Sequence, residues 1–326
     1  MAGGEIMSAA MLDAVNEYLA TRRALGYQLL VEGEELRRFA EYAGRIGHDG
    51  PITTELAVSW AKLPEGAAPL YWARRLDMVR RLATYQAMNQ PGTEIPPKGI
   101  FGPSYRRPAP HIYTPEEIEA LIQQASRLGP NGGLRPHTYA TLFGLLSCTG
   151  LRISEALRLS VSDVDLQNGI LTITGAKFHK SRLVPLHTTT VEALRDYALH
   201  RQTHLPNAVS ANFFLTERGT ALKYHKTLLT FIELRKNLGW SEGDRPPRIH
   251  DLRHTFAVTT LLNWYRRGED IGNKVAALAT YLGHVHVSDT YWYLSAVPEL
   301  LAAAGSRFEA YLAGHGGEEG ERGNDN

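Results

Sequence analysis

The 326-residue chain contains one cysteine, no long apolar run and almost no net charge. The lone cysteine, Cys148, cannot form an internal disulfide, which predicts a reducing, cytoplasmic setting and a small core residue at this position. No apolar run is long enough to span a bilayer and no signal-peptide pattern begins the chain, so no membrane association is expected. A net charge of +1 is weak support for a nucleic-acid partner.

Hydrophobic residues make up 43% of the chain and charged residues 21%, as is typical of a globular protein, and the length is sufficient for two domains. Apolar residues recur at three- and four-residue spacings near 8–24, 31–47, 53–62 and 69–88. We therefore predict that residues 1–90 form a bundle of about four helices.

Residues 91–111 are rich in proline and glycine, which excludes regular structure there. Lys98, Arg106 and Arg107 make this stretch basic. We assign it to an extended linker in which Arg106 and Arg107 are candidate DNA contacts.

Residues 112–313 are predicted to form a second domain, mostly helical with one small β-element. It begins with a capping-box signature from Thr114 to Glu117. The β-element is a hairpin formed by 170–174 and 183–186. Further helices are expected near 188–203, 223–237, 250–267, 271–281 and 296–312, and the acidic tail 314–326 is expected to be disordered. The predicted fold class is therefore mainly α, a helical bundle followed by a mixed α/β domain.

Arg152 opens a predicted helix directly after a Thr-Gly turn. A helix start favours a bound anion, and Glu155 lies one turn further on, where it can orient the guanidinium. Alone, an Arg-x-x-Glu sequence is more often a surface ion pair.

His250 and Arg253 are three residues apart on a predicted helix and so share a face. An alternative is a metal site, because His250 and His254 are four residues apart, as in the zinc motif His-Glu-x-x-His. A third ligand would then be His284 or His286. Asp251 in place of the motif's glutamate argues against this alternative.

Two arginines form the expected clamp for a phosphate, because their planar guanidiniums match its oxygens. Tyr293, nine residues after His284, is a candidate nucleophile beside a clamped phosphodiester. Arg152, Arg253 and Tyr293 together therefore predict a DNA-cleaving enzyme.

Four motifs occur in a fixed order: Thr149–Glu155, the Lys177 hairpin ending in Arg182–Leu186, His250–Ala257, and Leu282–His284 followed by Tyr293. As a set they resemble the tyrosine recombinase (phage integrase) family, over roughly residues 112–312. The helical front end resembles that family's core-binding domain. The resemblance implies a tyrosine-recombinase catalytic domain that breaks and rejoins DNA at specific sites without a metal or nucleotide cofactor.

By this resemblance, Arg152 and Arg253 hold the scissile phosphate and His284 hydrogen-bonds it. Lys177 protonates the departing 5′ oxygen. Lys180 is the alternative, although Lys177 lies early in the turn, where the family places its lysine.

By the same resemblance, Tyr293 forms a 3′-phosphotyrosine link and His250 manages its proton. Tyrosine has a pKa near 10, so ionising it at pH 7 costs about 4 kcal/mol without such help. Tyr291 is the alternative nucleophile. Many members of the family have a histidine two residues after the tyrosine, where this chain has Ser295.

The helix at 69–88 is the best candidate for DNA contact in the first domain, because it carries Arg74, Arg75, Arg80 and Arg81. The alternative is a solvated helix face near Asp77. Two domains joined by a basic linker are expected to encircle a duplex, with binding that weakens steeply with salt.

The expected function is that of a site-specific recombinase or integrase, acting for a mobile element on double-stranded DNA as a homo-tetramer. Such an enzyme is expected in the cytoplasm, associated with the nucleoid when on DNA. The helix after the tyrosine, Pro298 to Leu312, either caps its own core or docks into a neighbouring subunit. The alternatives are a type IB-like topoisomerase and a non-catalytic DNA-binding protein of the same fold. The sequence names no accessory protein.

Overall fold

The computed structural model describes residues 3–105, 109–174, 181–243 and 245–296, together with Leu300, Ala302 and Gly305. The chain divides into two compact units, Met1–Pro108 and Ala109–Asn326. The described part is mostly helical with one small three-stranded sheet, which confirms the predicted fold class.

The first unit is a helical bundle, and all four predicted helices are present. They are α1 (Gly3–Ala24), α2 (Leu30–Arg45), α3 (Thr54–Ala61) and α4 (Pro69–Gln86). The Thr53 hydroxyl accepts from the Leu56 N–H and caps α3, while Pro69 occupies the first turn of α4. The apolar faces enclose a core around Phe39 and Trp60, whose rings meet edge to face.

The second unit begins with α5 (Pro115–Ser126), and the predicted capping box between Thr114 and Glu117 is present. The helices that follow are α6 (Leu134–Thr149), α7 (Ile153–Arg158), α8 (Thr188–His204), α9 (Tyr224–Asn237), α10 (Ile249–Arg266), α11 (Ile271–Leu282) and α12 (Ser288–Ala296). Helix α6 was not predicted from periodicity, because its buried residues spread over a face much wider than a single apolar stripe.

The sheet lies between α7 and α8 in the sequence. Its strands β1 (Val164–Asp165), β2 (Ile170–Ile173) and β3 (Arg182–Pro185) are antiparallel and lie in that order. The register pairs Ile170 with Pro185 and Ile173 with Arg182, as expected for the predicted hairpin. Arg182 therefore stands at the end of the ladder nearest the turn.

Cys148 is exposed rather than a core residue, so that prediction is wrong. Although it lies in an apolar run, its position on α6 directs it to the surface beside Thr190, whose hydroxyl lies 3.5 Å from its sulfur. Of the helix predicted near 296–312, only Ala296, which ends α12, and Leu300, Ala302 and Gly305 are described. Leu300 is buried in the chain's own core with Tyr293.

Candidate active site

Two helices of the second unit end close together, and both end in a left-handed glycine. Gly150 terminates α6 with φ of 62°, and Gly283 terminates α11 with φ of 68°. A side chain at Gly150 would meet the Phe256 ring, so glycine is also required there sterically. The last carbonyls of a helix lack partners within it and carry partial negative charge. These two ends therefore offer acceptors for cations.

Arg253 takes two of those acceptors. From its position on α10, it donates through Nη1 to the Gly150 oxygen at 2.8 Å and through Nη2 to the Leu282 oxygen at 2.7 Å. The residue is only 2% exposed. Burial, followed by the nearby Arg152 charge, lowers the pKa of Arg253 to about 10, so it remains charged at neutral pH.

Arg152, directly before α7, reaches the same helix end. Its Nη2 donates to the Gly283 oxygen at 2.9 Å, and its Nη1 lies 3.5 Å from the Leu282 oxygen. The side chain is partly exposed, unlike that of Arg253. The two guanidiniums thus converge from distant parts of the sequence, as a phosphate clamp requires.

A buried carboxylate, Glu155, holds this arrangement together. It accepts from the Arg152 side chain and backbone N–H, each at 2.9 Å, and binds both terminal nitrogens of Arg182 at 3.0 and 2.9 Å. Burial alone would raise the pKa of Glu155, but the hydrogen bonds from Arg182 and Arg152 outweigh it and lower the pKa to about 2. Arg182 also donates to the Tyr281 oxygen at 2.7 Å and so ties β3 to α11.

His250 lies at the start of α10, near both arginines. Part of its surface is exposed, yet the protein packed around the ring desolvates its charged form. This desolvation, assisted by the charge of Arg253, lowers the pKa of His250 to about 4. The imidazole is therefore neutral at pH 7.

His284 follows the Gly283 turn. Its Nδ1 lies 2.6 Å from the hydroxyl of the buried Thr290, which orients the ring. A Thr290 hydroxyl that donates to Nδ1 leaves the ring proton on Nε2, where it is available to an oxyanion.

Tyr293 lies on α12 and is 1% exposed. Its hydroxyl is 2.8 Å from Nδ1 of His254, which follows Arg253 on α10. Its ring stacks near His284, with 6.5 Å between the centroids. Tyr291, the alternative nucleophile, is 49% exposed on the same helix.

A model of the phage integrase family matches residues 112–299. The chain belongs to the phage integrase family. The match extends from the start of the second unit through α12, and therefore includes every residue of the site just described.

Relatives that this integrase-family chain matches over nearly their whole length carry integrase or recombinase names. "Putative integrase/recombinase y4rB" of Sinorhizobium fredii (strain NBRC 101917 / NGR234) is 43% identical over 304 residues, covering 91% of this chain and 96% of the relative. "Tyrosine recombinase XerD" of Caulobacter vibrioides (strain ATCC 19089 / CIP 103742 / CB 15) is 28% identical over 300 residues, covering 90% and 94%.

Solved structures share the fold at lower identity. The Tn1549 transposon integrase in complex with circular intermediate DNA has a TM-score of 0.65 and 17% identity, covering 92% of this chain and 99% of that one. A lambda integrase dimer bound to a COC′ core site has a TM-score of 0.57 and 17% identity, covering 86% and 76%. These similarities establish the fold of this integrase-family protein.

The predicted site residues of the second unit divide into two groups. Arg152, His250, Arg253, His284 and Tyr293 lie around the ends of α6 and α11, as the preceding contacts show. Lys177 and its alternative Lys180 lie outside the described residues, as do the linker residues Arg106 and Arg107.

The predicted DNA contacts on α4 differ in exposure. Arg75 is 8% exposed, lies 3.8 Å above the Trp60 ring and pairs with Glu35 at 3.3 Å, so it supports the bundle and does not face a ligand. Arg74 is exposed and donates to the Ser104 oxygen at 3.3 Å. Burial therefore removes Arg75 from the candidate DNA contacts on α4.

The remaining two arginines of α4 are paired. Arg80 binds Asp77 and donates to the oxygens of Pro96 and Pro97 at 2.8 and 3.0 Å, which ties the linker to the bundle. Arg81 is half exposed and shares Asp77 at 2.8 Å. Asp77 thus neutralises part of the basic face, which agrees with the alternative of a solvated helix face near Asp77.

Sequence reasoning missed two residues of the site. His254 entered only as a metal-ligand alternative, although its position beside Arg253 placed it near any clamped phosphate. Arg182 was noted in a motif without a role, and only its contacts with Glu155 reveal one. No group of three or more His, Cys, Asp or Glu residues suited to a metal ion occurs in the described part of the chain, so the metal alternative lacks a third ligand there. None of the helices described here combines the length and apolarity needed to cross a bilayer.

Proposed function

We propose that this protein is a site-specific DNA recombinase that cleaves and rejoins duplex DNA through a 3′-phosphotyrosine at Tyr293. One observation carries the proposal: Arg152 and Arg253 converge on the end of α11 beside His284 and Tyr293. Two guanidiniums that lie close together match the charge and the oxygen geometry of a phosphate.

In this proposal, Arg152 and Arg253 bind the non-bridging oxygens of the scissile phosphate. His284 donates a hydrogen bond to it through Nε2, and neutral His250 adds a second donor. Donors held in place before the reaction stabilise the negative charge that builds on the phosphate oxygens, which is usually the largest catalytic effect.

Cleavage forms the bond between the Tyr293 oxygen and phosphorus and breaks the bond from phosphorus to the 5′ oxygen. Lys177 gives a proton to that 5′ oxygen. The link conserves the energy of the broken phosphodiester, so rejoining requires no ATP. Because Tyr293 is 1% exposed, a phosphate reaches its hydroxyl only after the residues that cover it shift.

The DNA partner is inferred from the relatives. The solved Tn1549 transposon integrase and lambda integrase are complexes with DNA, and y4rB carries an integrase name. We accordingly propose a double-stranded recombination site as substrate, a mobile element as the context, and a homo-tetramer as the acting assembly. Arg74 and Arg81 on α4 are the candidate backbone contacts of the first unit, with Arg106 and Arg107 in the linker.

The substrate sequence can be selected directly. The protein is incubated in chelator with nicked duplexes that carry a randomised centre, and the DNA linked covalently to protein is recovered and sequenced. We expect adducts with a recurrent sequence for the wild type and for Tyr291→Phe, and none for Tyr293→Phe. No adduct above the Tyr293→Phe level would contradict the enzyme and support a DNA-binding protein, whereas relaxation of one duplex without exchange between two would support a topoisomerase.

A further inference from the structure

The hydroxyl of Tyr293 is paired with an imidazole to which the proposed function gives no task. We propose that His254 is the base that accepts the Tyr293 proton during strand cleavage and returns it during rejoining. This inference rests on the proposed function, in which Tyr293 is the nucleophile.

The geometry supports direct proton transfer. His254 Nδ1 and the Tyr293 oxygen are 2.8 Å apart, within the distance that general-base catalysis requires. Both side chains are buried, so bulk water does not compete for the proton. The two rings meet edge to face with 5.4 Å between centroids, which fixes their relative orientation.

His254 also lies beside the phosphate clamp. It follows Arg253 directly on α10, where Arg253 is anchored to the Gly150 and Leu282 oxygens. The base is thus held beside the clamp by the same helical turn. A phosphate bound at Arg253 lies next to the site from which the phenol proton departs.

His250 is less suited to this task, although the sequence favoured it. Its ring meets that of His254 at 4.7 Å, but its pKa of about 4 makes it a weak base at neutral pH. His250 and Tyr293 contact His254 directly. The charged and titratable groups next to these three rings are Asp251 and Arg253 on α10, His284 after α11, and two further arginines whose charges act on His250, namely Arg152 and Arg248.

The proton balance is complete within the proposed reaction. Neutral His254 with its hydrogen on Nε2 accepts the phenol proton at Nδ1 as the bond from oxygen to phosphorus forms. Lys177 supplies the proton for the 5′ oxygen. The new imidazolium lies near Arg253, and the negative charge that develops on the phosphate offsets this repulsion. Rejoining reverses each transfer.

The test measures single-turnover adduct formation on the duplex selected above. We expect His254→Gln, which can accept a hydrogen bond but cannot hold a proton, to slow adduct formation about 10²-fold or more. Its rate should rise with pH more steeply than the wild-type rate, because hydroxide must then generate the phenolate. Tyr291→Phe is the matched control on α12 and should follow the wild type.

Two chemical substitutions, one in Tyr293 and one in the DNA, distinguish a general base from a general acid. Fluorotyrosine at position 293 ionises more readily and should recover part of the rate lost in His254→Gln. A 5′-bridging sulfur in the DNA, which leaves without a proton, should rescue Lys177→Ala but not His254→Gln. A structural role for His254 would give neither pattern.

The outcomes distinguish this inference from the proposed function. His254→Gln that cleaves at the wild-type rate or faster, while Tyr293→Phe is inactive, overturns the role of His254 alone. Adducts formed by Tyr293→Phe overturn the nucleophile and the proposed function with it. His254→Asn is made in parallel, and melting temperature and DNA affinity identify a variant that fails to fold. If both variants misfold, fluorotyrosine is placed at position 293 of the protein that retains His254. A cleavage rate that then loses its pH dependence supports His254 as the base, and an unchanged pH profile overturns it.

Discussion

The guanidiniums of Arg152 and Arg253 share one acceptor, the main-chain oxygen of Leu282, at 3.5 and 2.7 Å. Like charges at this separation repel, and the Arg152 charge contributes to the lowered pKa of Arg253. The carbonyl at the end of α11 offsets part of that repulsion because it carries the negative end of the helix dipole. The Glu155 carboxylate, which binds Arg152, offsets another part, and a bound anion would offset the remainder.

Sulfate should therefore stabilise the folded protein through this pair. An anion that binds only the native state stabilises it by RT ln(1 + c/Kd), where c is the anion concentration, so the melting temperature rises as c increases. We expect a rise with sulfate that exceeds the rise with chloride at equal ionic strength, measured by differential scanning calorimetry. Arg152→Ala should reduce the difference to the general stabilisation that sulfate gives by exclusion from the protein surface, and an undiminished sulfate effect in that variant would place the anion elsewhere.

Glu155→Gln should destabilise the second unit by about 3 kcal/mol at pH 7, since it breaks buried pairs with Arg152 and Arg182. The folded-state pKa of about 2 lies below the usual 4.5, so this stabilisation is present above pH 4.5 and is lost as pH falls towards 2. Urea unfolding at several pH values should show the wild-type advantage shrinking across that window. Glu119→Gln, on the exposed face of α5, should change stability by less than about 0.5 kcal/mol.

Gly150→Ala should lower stability by about 2 kcal/mol or more. Its φ of 62° strains any side chain, and a Cβ would lie 2.6 Å from Phe256 Cδ1. DNA cleavage should fall with it, because the Gly150 carbonyl holds Arg253. Gly144→Ala on the same helix is the control: its Cβ would make only a 3.6 Å contact with Ile122, and a helix interior favours alanine by about 0.5–1 kcal/mol. Equal losses in chemical denaturation would refute this distinction.

Arg74→Ala and Arg75→Ala should affect different properties. Arg74 is exposed, so its loss should weaken DNA binding and reduce the slope of log affinity against log salt by about 1. Arg75 is buried against Trp60 and Glu35, so its loss should lower the stability of the first unit and leave the slope unchanged. Titrations of labelled duplex at several salt concentrations give the slope for each variant, and chemical denaturation gives its stability. A reduced slope for Arg75→Ala alone would reverse the assignment.

Features that depend on neighbours within a few residues could be predicted from the chain. The capping box of Thr114 and Glu117 and the pairing of Arg152 with Glu155 each span three residues, so helix geometry suffices to bring them together. The hairpin of β2 and β3 followed from two short apolar runs on either side of a polar turn, whereas its register came from the structure. The family followed from the order of short motifs.

Contacts between distant segments could not be read in this way. Arg253 finds its acceptor at Gly150, about a hundred residues earlier, because α6 and α11 end at the same place. His254 rather than His250 lies at the Tyr293 hydroxyl because of where α12 packs against α10. Likewise, four arginines on α4 look alike in sequence, yet packing buries Arg75 and leaves Arg74 exposed. Residue type and spacing specify which chemistry is available, whereas the atoms that meet depend on how the helices pack across the core.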